Sequence, residues 1–460
     1  MAASTVREET SLGSERTQLF ETLSIPKAVI KLSVPTILSS LVMVLYNLAD
    51  TFFVGMLNDP VQNAAVTLAA PALLAFNAIN NLFGVGSSSM MSRALGRRDI
   101  KTVERSSAFG FYSALFCGLL LSLLYTVSRS FMLGVLGAEG ENLDATSDYL
   151  FWTTTLGAAP SILNVVMAYL VRAEGSALHA SLGTMSGCIL NIILDPLFIM
   201  PWGFNMKASG AGLATFISNC AACLYFFVLI AIRRGKTHVN ISPKNFRPDR
   251  EIVFGVCGVG IPAAIQNLLN VTGMTVLNNF VAGWGSDAIS AMGIAHKLNM
   301  IPFQIAMGFS QGVMPLVSYN YASGNRKRMR KATLFAGSLS LSFLCLITVV
   351  YFGFSDGLVS LFMENGSVVG YGARFLRGMC LALPFLCLDF LAVGVFQACG
   401  LGRLSLLFAI LRKIILEIPA LYVLNYLFPL YGLAYAQLFA EAVLGVSALV
   451  VLGRLLKKSA

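Results

Sequence analysis

Charge is the scarcest property of this chain. Charged side chains make up 12% of its 460 residues, about half of the ~25% usual in a soluble domain. Hydrophobic residues reach 56% and the mean hydropathy is +0.75. So little charge excludes a soluble globular domain and points to an integral membrane protein. Other absences narrow the function. The GKT of RRGKTH lacks the preceding Gly that a phosphate-cradling loop needs, so ATP hydrolysis within the chain is not expected. The three His, at 179, 238 and 296, are too dispersed for a metal triad. The nine Cys are odd in number and scattered, unlike a disulfide framework. Cys220 and Cys223 have CxxC spacing but no second pair or neighbouring His, and packing is expected of them. No nucleophile stands with a base, so neither an enzyme nor a cofactor is expected. The first 30 residues mix both charge signs without an apolar core, and no cleavable signal peptide is expected there.

What the chain has instead is repeated apolar stretches of about 20 residues, the length that crosses the hydrocarbon at ~1.5 Å per residue. They predict an all-α integral membrane protein of twelve spans, at 33–55, 62–92, 104–127, 148–172, 178–201, 208–232, 252–281, 287–317, 332–353, 369–398, 402–427 and 431–453. Helix is expected because backbone groups in lipid must pair internally and the runs lack the alternation of a barrel strand. Lys and Arg collect in SRALGRRDIKTVER, RRGKTHVNISPKNFRPDR, GNRKRMRK and GRLLKKSA, all after even-numbered spans. Those loops, and both termini, are expected on the cytoplasmic side. The opposite loops, with DP at 59–60, GAEGENLDATSD at 137–148 and MENGS at 363–367, are neutral or acidic. The formal charge of +10 is thus mainly a topology signal rather than a nucleic-acid footprint. A multi-pass plasma-membrane protein, in a bacterial inner membrane, is the expectation, functional as a monomer. The NGS sequon at 365–367 matters only in a eukaryotic secretory pathway.

The chain also repeats itself. A shift of about 226 residues lays MSRALGRRDIK, from Met91, on VSYNYASGNRK, from Val317, and matches Gly86 with Gly312, Ala69 with Ala295 and Lys101 with Lys327. APSILNVVMAYLVRAEG at 159–175 aligns with LPFLCLDFLAVGVFQACG at 383–400, and GLA at 212–214 with GLA at 432–434. Each half then holds six spans, and an even number gives both the same orientation, as in transporters built from parallel repeats. The expected organisation is an amino-terminal segment 1–32, a first six-helix lobe 33–232, a cytoplasmic linker 233–251 and a second lobe 252–460.

Against this apolar background, acids inside spans need an explanation. An ionised side chain at mid-bilayer costs roughly 2.5–3.5 kcal/mol on insertion scales, so one that is kept faces protein or water and serves a purpose. Asp50 lies four residues after Tyr46 in the first span, and Asp195 four after Asn191 in the fifth, so each pair shares a helix face. If those faces converge, two carboxylates share a low-dielectric pocket with Asn191, Tyr46 and the Thr215 hydroxyl. Such a pocket either holds an exchangeable proton or, through carboxylate, amide and hydroxyl oxygens, a sodium ion. The competing reading is that both acids cap or glue helices, with Asp195 before Pro196 at a kink.

The chain resembles the multidrug and toxic compound extrusion (MATE) family over nearly its whole length, from about Pro35 to Gly453. The resemblance is carried by PTILSSLVMVLYNLADTFFVG from Pro35, GVGSSSMMSRALGRRD, NIILDPLFI, GAGLATFIS and GFSQGVMPLVSYNYASGN, in that order and spacing. It implies a first-lobe cation site at Asp50, Asn191, Asp195 and Thr215, and alternating access by two rocking lobes. Where some relatives place a Glu in the seventh helix this chain has Gln266, so an acidic second-lobe site is in doubt. Asp389 falls at the repeat position of Asn164, Glu417 close to that of Asp195, and Lys297 is a cation able to pair with one of these acids; Glu441 is a further acid. Asn77, Asn80, Asn81, Asn164, Asn299, Gln304 and Gln311, with the many Met and Phe, are candidates to line a substrate cleft, or else to pack and bond between helices. The reading as a whole is a proton- or sodium-coupled antiporter exporting organic, often cationic, compounds. A lipid-precursor flippase and a passive channel are the alternatives.

Overall fold

A computed structural model describes residues 18–363 and 365–457. The ends of the expected terminal segments, 1–17 and 458–460, lie outside the described residues. Every regular element of the described chain is helical, with the linker between the halves mostly irregular. We number the long elements α1 (Ile25–Gly55), α2 (Pro60–Gly96), α3 (Ile100–Val127), α4 (Asn142–Leu156), α5 (Ala158–Ala173), α6 (Ala177–Ile199) and α7 (Lys207–Ile232). They continue as α8 (Arg250–Ala282), α9 (Ser286–Ala322), α10 (Arg326–Gly353), α11 (Gly366–Cys380), α12 (Leu383–Ala398), α13 (402–427) and α14 (Leu433–Lys457).

Among the described residues nine helices are long and apolar enough to cross a membrane, and eleven if α4–α5 and α11–α12 each count as one bent span. The expected eleventh span, α13, is helical but fails on charge and regularity. It carries Arg403, Arg412, Lys413 and Glu417 and widens into a π turn over Leu411–Glu417. Large apolar side chains face outward along the helices, such as Val127 at 79% exposure. In water a surface of this kind would aggregate, and in lipid it is the solvent-facing side.

The sequence repeat reappears as repeated local structure. The α4–α5 pair bends by 50° and the α11–α12 pair by 45°. In each case a proline, Pro160 or Pro384, sits in the first turn after the break, where its missing N–H costs nothing and its ring stops the preceding helix. Ser92 Oγ donates to the Ala173 carbonyl at 2.8 Å, and its counterpart Ser318 donates to Ala398 at 2.9 Å. Asp99 caps α3 through the Thr102 N–H, and Asn325 caps α10 through the Arg328 N–H.

The helices pack as two compact units. Of the described residues, the first contains Leu38–Ala264 together with 18–23, and the second contains Ser24–Ile37 together with those from Ile265 to Lys457. These packing units and the repeat halves are different divisions of the chain, because each unit includes the opening turns of one long helix from the other half. Glycine permits it. A Cβ on Gly86 of α2 would stand 2.4 Å from the Val256 carbonyl of α8 inside the first unit, and a Cβ on its repeat partner Gly312 of α9 would stand 2.6 Å from Ser33 Cα of α1 inside the second.

Gly86→Leu is expected to destabilise the protein by ~1–3 kcal/mol through overpacking, read as a lowered unfolding temperature in detergent. The Thr102 hydroxyl bond to Asp99 holds that carboxyl below its usual range. Its stabilisation is therefore present at neutral pH and lost as pH falls through the lowered value. Asp99→Ala should cost about 1 kcal/mol, and the gap between the two proteins should shrink in acid.

Candidate functional site

In the first unit, α1, α4, α6 and α7 bring together most of the residues singled out in the sequence. Asp195 is fully buried and Asn191, one turn earlier on α6, is 1% exposed. Pro196 inside α6 removes a backbone donor and frees the carbonyl one turn before it, so the helix is weakened beside Asp195. With the Asn191 amide oriented to satisfy both its ends, Nδ2 donates to Asp195 Oδ2 at 2.9 Å. Its Oδ1 accepts from the Thr215 N–H at 3.1 Å and from the Thr215 hydroxyl at 3.3 Å. Thr215 thus ties α7 to α6. From α1, the Tyr46 phenol is in hydrogen-bonding contact with Thr215 and within electrostatic reach of both Asp50 and Asp195. Asp50 and Asp195 lie within electrostatic reach of each other, and Asp50 Oδ1 is buried without a hydrogen-bond partner.

Tyr149 of α4 completes the group. It is buried and within reach of Asp50, Tyr46 and Asp195. Nothing in the sequence marks it, since it lies in another span at no periodic distance from the others. The decisive feature of the pocket is its charge: among the described residues no Lys, Arg or His forms an ion pair with Asp50 or Asp195. Two carboxylates, an amide, a hydroxyl and two phenols therefore face one another with no built-in positive charge. The donor set is all oxygen apart from the amide nitrogen, which suits a proton or a hard monovalent cation. Among the described residues no three His, Cys, Asp or Glu side chains converge to hold a metal ion.

The remaining candidates are more dispersed. Asn77 is exposed, Asn81 is half-buried and donates to the Asn77 carbonyl at 2.8 Å, and Asn80 is buried where a π turn begins. Asn164 of α5 donates to Asn219 of α7 at 3.1 Å, gluing two helices of the first unit. In the second unit Asn299 is buried with Oδ1 unpartnered, while Gln304 and Gln311 are half-buried. Cys223 donates to the Pro160 carbonyl at 3.2 Å, and with Cys220 it borders an apolar cavity of about 410 Å³ alongside Phe216 and Phe227.

The acids of the second unit do find cations, though not the expected one. Lys297 is exposed and forms no ion pair among the described residues. Asp389 of α12 instead accepts from Arg412 of α13 at 3.2 Å, and Glu417 accepts from Lys413, one turn away, at 2.6 and 2.7 Å. Asn270 of α8 accepts from Arg412 at 2.7 Å, and the guanidinium sits 5.1 Å from the Phe390 ring centre. Gln266 accepts from Gln397 at 3.3 Å, a neutral contact. The string LRKIILE displayed both cations inside a span, and the four-residue Lys413–Glu417 spacing was legible; attention to acids alone passes over them.

The MatE family model matches residues 35–197 and 262–423, the two halves in turn. The chain belongs to the MATE family. It is 33% identical over 438 residues to the multidrug export protein MepA of Staphylococcus saprophyticus, covering 95% of each protein. Identity to MepA of Staphylococcus aureus strain MRSA252 is 33% over 441 residues, again covering 95% of each. Among solved structures, the outward-facing conformation of a multidrug resistance MATE family transporter of the MOP superfamily superposes with a TM-score of 0.90. The identity there is 24%, over 96% of this chain and 98% of the other, so that likeness carries the fold. Membership identifies a transporter rather than an enzyme, and the expected MATE fold is the one observed.

Replacing Arg412 by Leu should destabilise the protein by ~3–5 kcal/mol, because it leaves Asp389 buried and uncompensated. Thermal unfolding of purified protein measures this, and Asp389→Asn in the same chain should restore part of the loss.

Proposed function

We propose that this MATE protein is a cation-coupled multidrug efflux antiporter of the bacterial plasma membrane, with both termini cytoplasmic. It exports organic, often cationic, compounds by alternating access. The observation that carries the coupling is the first-unit pocket, where Asp50 and Asp195 interact with each other inside the protein without a built-in counter-charge. Two ionised carboxylates in that position repel each other and have lost their water. The pocket is stable only when it takes up positive charge, as a proton on one acid or a sodium ion among Asp50, Asn191, Asp195 and Thr215. Loading changes how α1 is held against α6 and α7 through Tyr46 and Thr215. An ion that stabilises one arrangement of these helices more than another shifts the balance between conformations, and a gradient of it drives transport.

Small-molecule drugs as cargo are supported by the names of the staphylococcal relatives, both multidrug export proteins, over almost the full length of the chain. The frequent Met and Phe, 18 and 32 residues, supply adaptable apolar surface for varied ligands.

The test is ethidium transport by protein reconstituted into liposomes, with a proton or a sodium gradient imposed separately. One of the two gradients is expected to drive transport and thereby name the ion. Asp50→Asn and Asp195→Asn should each reduce gradient-driven transport by about 10-fold or more, while the purified variants keep the elution profile of folded protein. Wild-type coupled transport in both variants would make the pocket structural and remove the mechanism.

A further inference from the structure

A second group of buried ionisable side chains lies in the other unit, and its charges do not balance. Asp389, Glu417 and Glu441 are set against Arg412 and Lys413, on α12, α13 and α14. Lys413 is committed to Glu417, both of whose oxygens it holds. His296 of α9 lies beside that pair, with Nε2 buried and unpartnered. One guanidinium is left for two carboxylates. Arg412 hydrogen-bonds Asp389 at 3.2 Å but stays 3.9 Å from Glu441, outside hydrogen-bond range. All three side chains are 1% exposed. Asp389 Oδ1, Arg412 Nε and Glu441 Oε2 are each buried without a partner. The charged groups facing Glu441 are Asp389, Arg412, Glu417 and Lys413, with no further cation among them.

We propose that the Asp389–Arg412–Glu441 group is a second proton-holding site, completed in the arrangement seen by one exchangeable proton on Glu441. A buried carboxylate without a full partner is among the most costly groups a protein can carry, and a neutral carboxylic acid removes most of that cost. Arg412 satisfies Asp389 as an ion and leaves Glu441 as the neutral member. If the guanidinium moves the short distance to Glu441, the proton passes to Asp389, so the pair always shares one proton and one guanidinium. The proton leaves for water only at alkaline pH or when another positive charge replaces it. Asn270 of α8 holds the guanidinium at 2.7 Å and fixes which acid is ionised. This inference goes beyond the first-unit reading and does not require it.

Infrared difference spectra between neutral and alkaline pH, on full-length protein in lipid nanodiscs, read the carbonyl stretch of neutral carboxylic acids. An Asp50→Asn, Asp195→Asn double variant removes the first-unit acids from the spectrum. In that background an alkali-sensitive carbonyl band should remain, with the amplitude of a single acid per chain. It should vanish on adding Glu441→Gln, and equally on adding Asp389→Asn, because either change leaves one guanidinium for one carboxylate. A merely structural role for Glu441 would leave the band unmoved. Its absence from the double variant, or its persistence in both triple variants, overturns the proposal, and if the Glu441 variant fails to fold the Asp389 variant decides alone. Failure of the first-unit reading would show in the ethidium assay and leave this band in place.

Discussion

A carboxylate removed from water has to be matched by positive charge, and in this protein that requirement is met in two different ways. The first unit groups Asp50 and Asp195 with neutral partners, Asn191, Thr215, Tyr46 and Tyr149, and on our proposal the compensating charge comes from outside the chain. The second unit carries most of its compensation covalently, as Arg412 and Lys413 against Asp389, Glu417 and Glu441. A charge supplied from outside can be exchanged and a tethered one cannot, so on our proposals the first unit relies on exchangeable charge for both acids and the second only for its one unmatched acid. Buried pairs contribute little net stability because desolvation offsets attraction. Their persistence in the second unit is better read as a constraint on how α12, α13 and α14 pack than as a source of stability.

The duplication makes that contrast sharper. Ser92 and Ser318 make the same hydrogen bond, Asp99 and Asn325 cap equivalent helices, and Pro160 and Pro384 follow equivalent bends. Backbone-supporting positions have stayed alike in the two halves while the ionisable positions have diverged. Near the repeat position of Asn191 and Asp195 the second half carries Lys413 and Glu417, so a neutral amide beside one acid corresponds to an ammonium beside the other. That exchange gives Glu417 a tethered partner where Asp195 has none.

Much of this was legible in the chain. Apolar length located the helices because lipid allows few alternatives. The spacing of four within Tyr46–Asp50 and Asn191–Asp195 placed each pair on one face, and the structure does bring those faces together. Tyr149 was not legible, because it joins the group only through the packing of α4 against α7. Lys297 shows the same limit from the other side. Read along the chain it is a cation suited to a buried acid, yet it is exposed while Arg412 and Lys413 occupy the acids.

By itself the sequence determined the solvent, the helical state, the repeat and the chemical character of the first-unit acids, since these follow from composition and from periodicity along one helix. Only tertiary structure decided which charges are compensated, which stay open and which glycines allow α8 to join the first unit and α1 the second. Those outcomes depend on distances between side chains far apart in the chain. A shift of less than an ångström separates the 3.2 Å bond to Asp389 from the 3.9 Å gap to Glu441, and no one-dimensional pattern encodes it.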